Sequence, residues 1–545
     1  MKHIHTKKLT YRCLVACLGA LLFCAATGQA QTTNSYTNSV TANWTVTSSW
    51  SLGHLPTSSE VVLVASNQVN INTAAVASNV VIGGSTNGAI QFITTGANSL
   101  TVGGNITLAP GAGNGTLVLQ GTNTTLTLNG GAGSIVDGGG AGNGNITVQG
   151  NFSGSLGLVS ATVANINMGQ SVGTGTLIIN AGQTYNVADN IRLNNNGVAG
   201  SMATITINGG TLNLGDDLGN GETHAGILRF NSAGGTTNQA FVNLNGGGTL
   251  KAESLQRNNV GTDVALNWND GTIQNHSGNN LTISCTTNGY TLNLYLAGTG
   301  THTFEADSGR TITVQSTAVL ADKAGENGTL VKTGLGTLLF NGTNTYSGGT
   351  TISAGTLALG AAARLTNTVS IAVASNATFD VSAVTGGFTL QAGQTLTGNG
   401  LVKGATTIAS NAVISPGLNG IGTLTFSNNL TFAGTWNVAL TNDTINVLNI
   451  IGSLSVSSGA VLDFDITGAQ TLNQYAFGIY SNALGAATNN FFLQNLGPGY
   501  SVQYDISLGG NRYEMAVVIP EPSSSALVAG GLCLLLAFQC RRRRP

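Results

Sequence analysis

Residues Gly328–Gly360 read GTLVKTGLGTLLFNGTNTYSGGTTISAGTLALG. Within them, apolar and small polar side chains alternate in short runs, Leu338 with Phe340 and Leu357 with Leu359. Successive side chains of a strand point to opposite faces, so a two-residue period marks a half-buried strand. Gly, Asn, Thr and Ser interrupt the runs every few residues and supply turns. Leu338 and Leu357 stand nineteen positions apart, which fits one coil of strands returning over the coil before it. A coil of this kind cannot bury its apolar face alone. A stacked neighbour must cover it, so the stretch predicts an array.

Working outward, the tripeptide Gly-Thr-Leu recurs at 115–117, 175–177, 210–212, 248–250, 328–330, 336–338, 355–357 and 422–424. The irregular spacing predicts degenerate coils with variable loops over residues 106–427. Strands are legible at Ile205/Ile207, Leu212/Leu214, Leu292/Leu294/Leu296 and Ile312/Val314, separated by Asn-Gly and Gly-Gly turns. Residues 31–105 read as an N-terminal β cap region, with Trp44, Trp50, Pro56 and then Glu60-Val61-Val62-Leu63-Val64. The two tryptophans are expected to cap the first coil, the alternative being stacking on sugar rings. Residues 428–519 continue in strands, and Phe491, Phe492, Tyr500, Tyr504 and Tyr513 are candidates to close the far end. At roughly 20 residues per coil, 31–519 would wind into on the order of 20–25 coils, about 100 Å long at ~4.8 Å per strand.

The central stretch resembles the autotransporter-associated β-strand repeat. The match is carried by Lys332, Thr333, Gly334, Gly336, Thr337, Leu338, Gly342, Asn344, Thr345, Tyr346, Ser347, Gly348, Gly349, Thr350, Ile352, Gly355, Thr356 and Leu357. The resemblance implies a long, secreted, parallel β-solenoid passenger on a bacterial surface, and it supplies no catalytic residues. The fold expected is therefore all-β, a right-handed parallel β-helix, with a signal helix before it and a single membrane-spanning sorting helix after it.

Composition narrows the classes. Gly makes up 78 of 545 residues and charged residues 7%, against about 25% in ordinary domains. Hydroxyls and amides must therefore solvate the surface. The glycines have no three-residue period, which excludes collagen. Residues 31–519 carry 10 basic against 19 acidic side chains, a net charge of −9, so phosphate-led nucleic-acid binding is not expected. Only Cys285 lies between the terminal segments, so no disulfide framework is expected and the cysteine reads as a small buried hydrophobe.

The termini read as addresses. In residues 1–30, Lys2, Lys7, Lys8 and Arg12 precede the apolar run Cys13–Ala26, and Gly28-Gln29-Ala30 ends it. This is the order of a secretory signal, with signal-peptidase cleavage between Ala30 and Gln31. A lipoprotein at Cys24 is the alternative, although Phe23 stands where a small residue is wanted. In residues 520–545, Pro520-Glu521-Pro522 precedes an uncharged run from Ser523 to Cys540 and then Arg541, Arg542, Arg543 and Arg544. Eighteen helical residues span about 27 Å, close to a hydrocarbon core of about 30 Å, and the arginines would stay on the cytoplasmic side. The order resembles the PEP-CTERM sorting signal. That resemblance implies recognition by exosortase in a diderm bacterium, a transient inner-membrane intermediate, and release to the outer surface or extracellular matrix. A permanent tail anchor is the alternative.

The densest ionisable cluster is Asp216-Asp217, Glu222, His224 and Arg229. Paired carboxylates do acid–base work in polysaccharide hydrolases, but adjacent strand residues face opposite ways, and a solvated loop is expected. Asp463 and Asp465 share a strand face and read as solvated rather than as a Ca²⁺ site. His54, His224, His276 and His302 are too scattered for a metal set. No catalytic, cofactor or metal residues are assigned. The sequence reads as a non-enzymatic structural and adhesive surface protein with exopolysaccharide or other surface glycans as partners; a β-helix polysaccharide hydrolase or lyase is the alternative.

Overall fold

A computed structural model describes residues 31–519 apart from 93–97, 109, 111–113, 121–123, 129–133, 138–143, 150–152, 155–159, 169–172, 195–198, 216–224, 233–234 and 419. The signal segment with Ala30, the sorting segment with Pro520, Glu521, Pro522 and Arg541–Arg544, and Asp216, Asp217, Glu222 and His224 lie outside the described residues. The described chain is nearly all β, with only two short 3-10 turns, Thr47–Ser49 and Gly485–Asn490. It divides into two compact units, one up to Ile146 and one from Ser160 on.

In the first unit the chain winds through three parallel ladders. One stacks Thr33–Ser35, Val61–Val64, Asn79–Ile82, Ile106–Leu108 and Ser134–Asp137. The second stacks Ala42–Asn43, Asn67–Ile71, Gly88–Phe92 and Gly115–Gln120. The third stacks Ala74–Ala77, Asn98–Val102 and Thr124–Leu128. The coils thus begin at Thr33, inside the stretch that the sequence set apart as a starting region. Trp44 and Trp50 are buried, meeting edge to face with centroids 4.8 Å apart. The Trp50 indole N–H donates to the Trp44 carbonyl at 2.9 Å, and Tyr36 packs on Trp50.

The second unit repeats the three-sided coil. One side carries, in parallel succession, strands starting at 249, 271, 302, 330, 350, 370, 395 and 413. The next carries Leu281–Cys285, Thr311–Val314, Thr337–Phe340, Thr356–Leu359, Thr378–Asp380, Leu401–Lys403 and Thr423–Phe426. The third begins with long strands, Gly173–Asn180 through Ala318–Asp322. It thins to the two-residue pair Thr343–Asn344 and Arg364–Leu365 and resumes at Phe388–Leu390. Past Phe426 the coils stay parallel as far as Phe491–Gln494, apart from a short hairpin between Thr435–Thr441 and Thr444–Ile445. Arg512–Val518 then runs antiparallel to Gln474–Ser481, with Ser501–Gly509 antiparallel beyond it. Of the aromatics named above, Phe491 stacks on Tyr504 and Tyr513 on Tyr480, while Phe492 is exposed.

The nineteen-residue interval is one coil: Leu338 lies directly against Leu357 in the ladder. The same inward column runs Leu281, Ile312, Leu338, Leu357, Phe379, Val402 and Phe426, all inaccessible to solvent. Each Gly-Thr-Leu places its leucine in such a column and its threonine on the outer face; at Gly336 and Gly355 the glycine turns the corner. Gly355 shows why the corner is glycine: its φ is +66°, and a Cβ there would stand 2.4 Å from the Gly336 carbonyl oxygen. Truncating an inward rung leaves a cavity between two coils. Leu338→Ala should therefore cost about 3 kcal/mol, whereas Thr337→Ala on the outer face should change stability by less than about 0.5 kcal/mol. Urea unfolding followed by circular dichroism checks both values.

Candidate functional surface

Inward positions are filled mostly by stacked apolar side chains, so the chemistry available to a ligand lies on the outward parity. There, coils repeat the same residue types at the strand spacing, about 4.8 Å. Thr184, Thr211, Thr249, Thr272 and Thr303 form one column, and Thr311, Thr337, Thr356 and Thr378 another. Amides form a third column: Asn243 donates to the Thr206 hydroxyl at 3.2 Å, and Asn267 to the Asn243 side-chain carbonyl at 2.8 Å. Charge is sparse, and the ion pairs among the described residues are His54–Glu60 and Lys403–Asp380. A shallow cavity of about 350 Å³ is lined by Arg364, Leu365, Thr366, Val384, Phe388 and Gln391 where the third side of the coil is interrupted.

The candidate residues fall apart in space. Asp463 and Asp465 do share the outer face of Ala460–Thr467, and Asp463 accepts from Asn495 at 2.7 Å. His54 sits by Glu60 and His276 by Asn213, whereas His302 is buried between the carbonyls of Thr329 and Ala297 with Trp268 at its edge. Among the described residues no three His, Cys, Asp or Glu side chains gather around a point that would hold a metal. Cys285 is a free, buried thiol near the Thr287 carbonyl. Trp44 and Trp50 are 1% and 2% exposed, which leaves no ring face for a sugar. Of the ionisable cluster at 216–229, only Arg229 is described; it lies on Ile227–Phe230, opposite Arg192 of the preceding coil.

Lys332 was not anticipated. It occupies an inward position, between Phe304 and Ile352 in register, with no solvent exposure. Its ammonium donates to the carbonyls of Thr333 at 2.6 Å, Gly334 at 2.8 Å and Ala354 at 3.2 Å. All three protons are thus placed at one corner, joining two coils. Burial pulls its pKa down to about 8, against the weaker opposing pull of Glu305. The signal was present in the sequence: Leu330 is inward, so the residue two further on must be inward too.

Two segments, 330–359 and 419–439, match the family model described as Passenger-associated-transport-repeat. The first contains Lys332 and one full coil. The chain is also 26% identical over 317 residues to the Adhesin BmaC autotransporter of Brucella suis biovar 1 (strain 1330). That alignment covers 54% of this chain and 9% of the Brucella protein. No solved structure matches. No helix among the described residues is long and apolar enough to cross a membrane.

Lys332 makes stability depend on pH with a definite sign. Below pH 8 both folded and unfolded chains hold its proton, so the cost of burying the charge is fully present. Between about 8 and the unfolded value near 10.4, the unfolded chain binds the extra proton, and stability rises with pH. Thermal melts of wild type and Lys332→Met from about pH 7.5 to 9.5 should show the wild-type midpoint gaining on the variant. Groups common to both cancel in the difference, and parallel curves would refute the coupling.

Proposed function

We propose that this chain is a non-enzymatic, exported surface protein of the adhesin type, whose β-solenoid presents repeated weak contacts to extracellular or surface glycans. The observation that carries the reading is the outer face itself. Columns of threonine and asparagine repeat coil after coil on a surface with few ion pairs among the described residues. Hydroxyls and amides are the groups that exchange hydrogen bonds with sugar hydroxyls, and regular repetition turns weak contacts into avidity. Likeness to a transport-associated repeat and to an autotransporter adhesin supports the same reading. The winding is read as right-handed, the hand of parallel crossovers.

The delivery route proposed with it begins with cleavage between Ala30 and Gln31. A sorting helix, 523–540, then parks the protein in the inner membrane of a diderm bacterium, with Arg541–Arg544 on the cytoplasmic side. Exosortase cleaves near Pro520-Glu521-Pro522 and passes the body to the outer surface or matrix. The support for this route is the order of residues at the two termini.

Mass spectrometry of secreted material should find Gln31 as the N-terminus and no peptide containing Arg541–Arg544; intact arginines on released protein would sink the route. A glycan array paired with a reducing-sugar assay tests the function. Binding without turnover is expected, and turnover abolished by Asp216→Asn/Asp217→Asn would replace this reading with a hydrolase.

A further inference from the structure

At one place on the outer face two like charges stand opposite each other across the ladder. Thr184–Leu193 pairs in parallel with Ile227–Phe230, and the register sets Arg192 directly opposite Arg229. Like charges in that position repel. Neither arginine has an ion-pair partner among the described residues, in a body with 10 basic side chains against 19 acidic. Arg192 spends one nitrogen on the amide oxygens of Asn165 and Asn167, at 3.1 and 3.3 Å. The Nε of Arg229 is buried and meets no hydrogen-bond acceptor among the described residues. Asn190, on the same side of the strand as Arg192, is 4% exposed, and its Oδ1 likewise lacks a partner among them.

The outward column then continues through uncharged donors and acceptors. Asn167, Arg192, Arg229, Gln256 and Ser284 stand in successive coils. The pair is already strained electrostatically, since burial first and Arg229 second hold the Arg192 guanidinium below its usual range, with Asp189 opposing. An acceptor placed between the two guanidiniums would remove the repulsion and fill the vacant Nε–H. A planar carboxylate suits the guanidinium fork. A free ring hydroxyl of the same sugar would donate to Asn190. A uronic acid ring carries both groups.

We propose that Arg192 and Arg229 form an anion site for the carboxylate of a uronate within an acidic polysaccharide lying along this column. The proposal deepens the glycan-contact reading and rests on it. The two arginines set a local positive spot on an otherwise mildly acidic body, which selects for where along the solenoid an anionic chain settles.

The test uses the full secreted protein and two immobilised polymers, polygalacturonate and neutral hydroxyethyl cellulose, at low and high salt. Wild type should bind polygalacturonate in a salt-sensitive manner. Arg192→Gln/Arg229→Gln should bind it about tenfold or more weakly, with unchanged neutral-polymer binding and a thermal midpoint no lower than wild type. Arg229→Lys keeps the charge but loses the Nε–H fork and should fall between the two, which keeps the test decisive if the double variant folds poorly. Polygalacturonate binding that survives both variants, or wild type binding only the neutral polymer, overturns the anion site alone. Binding to neither polymer overturns the glycan reading beneath it as well.

Discussion

Each coil of this protein can bury its apolar face only on another coil, held in register by parallel backbone hydrogen bonds. That dependence sets almost everything else. It fixes parity, because a slip of one residue would turn Leu338 outward and Thr337 inward throughout a rung. It explains the composition, since with the interior filled by one side chain per rung, the remaining positions need only be small, polar and able to turn. It also supplies, from the neighbouring coils on either side, contacts of the kind that a small secreted domain gains by cross-linking.

The outer surface inherits the same regularity. A threonine on one coil is followed by a threonine on the next, because both stand at the same register position, one residue before an inward apolar side chain. The result is a surface whose chemistry is spread evenly, without a cleft among the described residues that gathers acids, bases and nucleophiles. The Arg192–Arg229 pair stands out because it departs from that evenness while obeying the same register.

Much of this was legible in the sequence. Alternation revealed the strands, the nineteen-residue interval from Leu338 to Leu357 revealed a coil, and the recurring Gly-Thr-Leu marked further coils. Long-range pairing was less legible, because the interval between rungs varies. Strands of one side begin at 249, 271, 302, 330 and 350, so no fixed period reveals that Arg192 meets Arg229. Lys332 was missed for another reason: a lysine is so seldom fully buried that residue type overruled parity. The turning back of Arg512–Val518 was also hidden, since a strand's sequence does not state its direction.

The unequal intervals have a further meaning. Tyr185, Leu212, Leu250 and Ile273 remain consecutive rungs of one column although the chain between them differs in length. Extra residues leave the stack at a corner and rejoin it without disturbing the rungs. Gly247 and Gly278 lie at such corners, with open space where a side chain would begin. A lineage can therefore enlarge or exchange its corners while keeping its interior, and new specificities can be tried there without the cost of inventing a new fold.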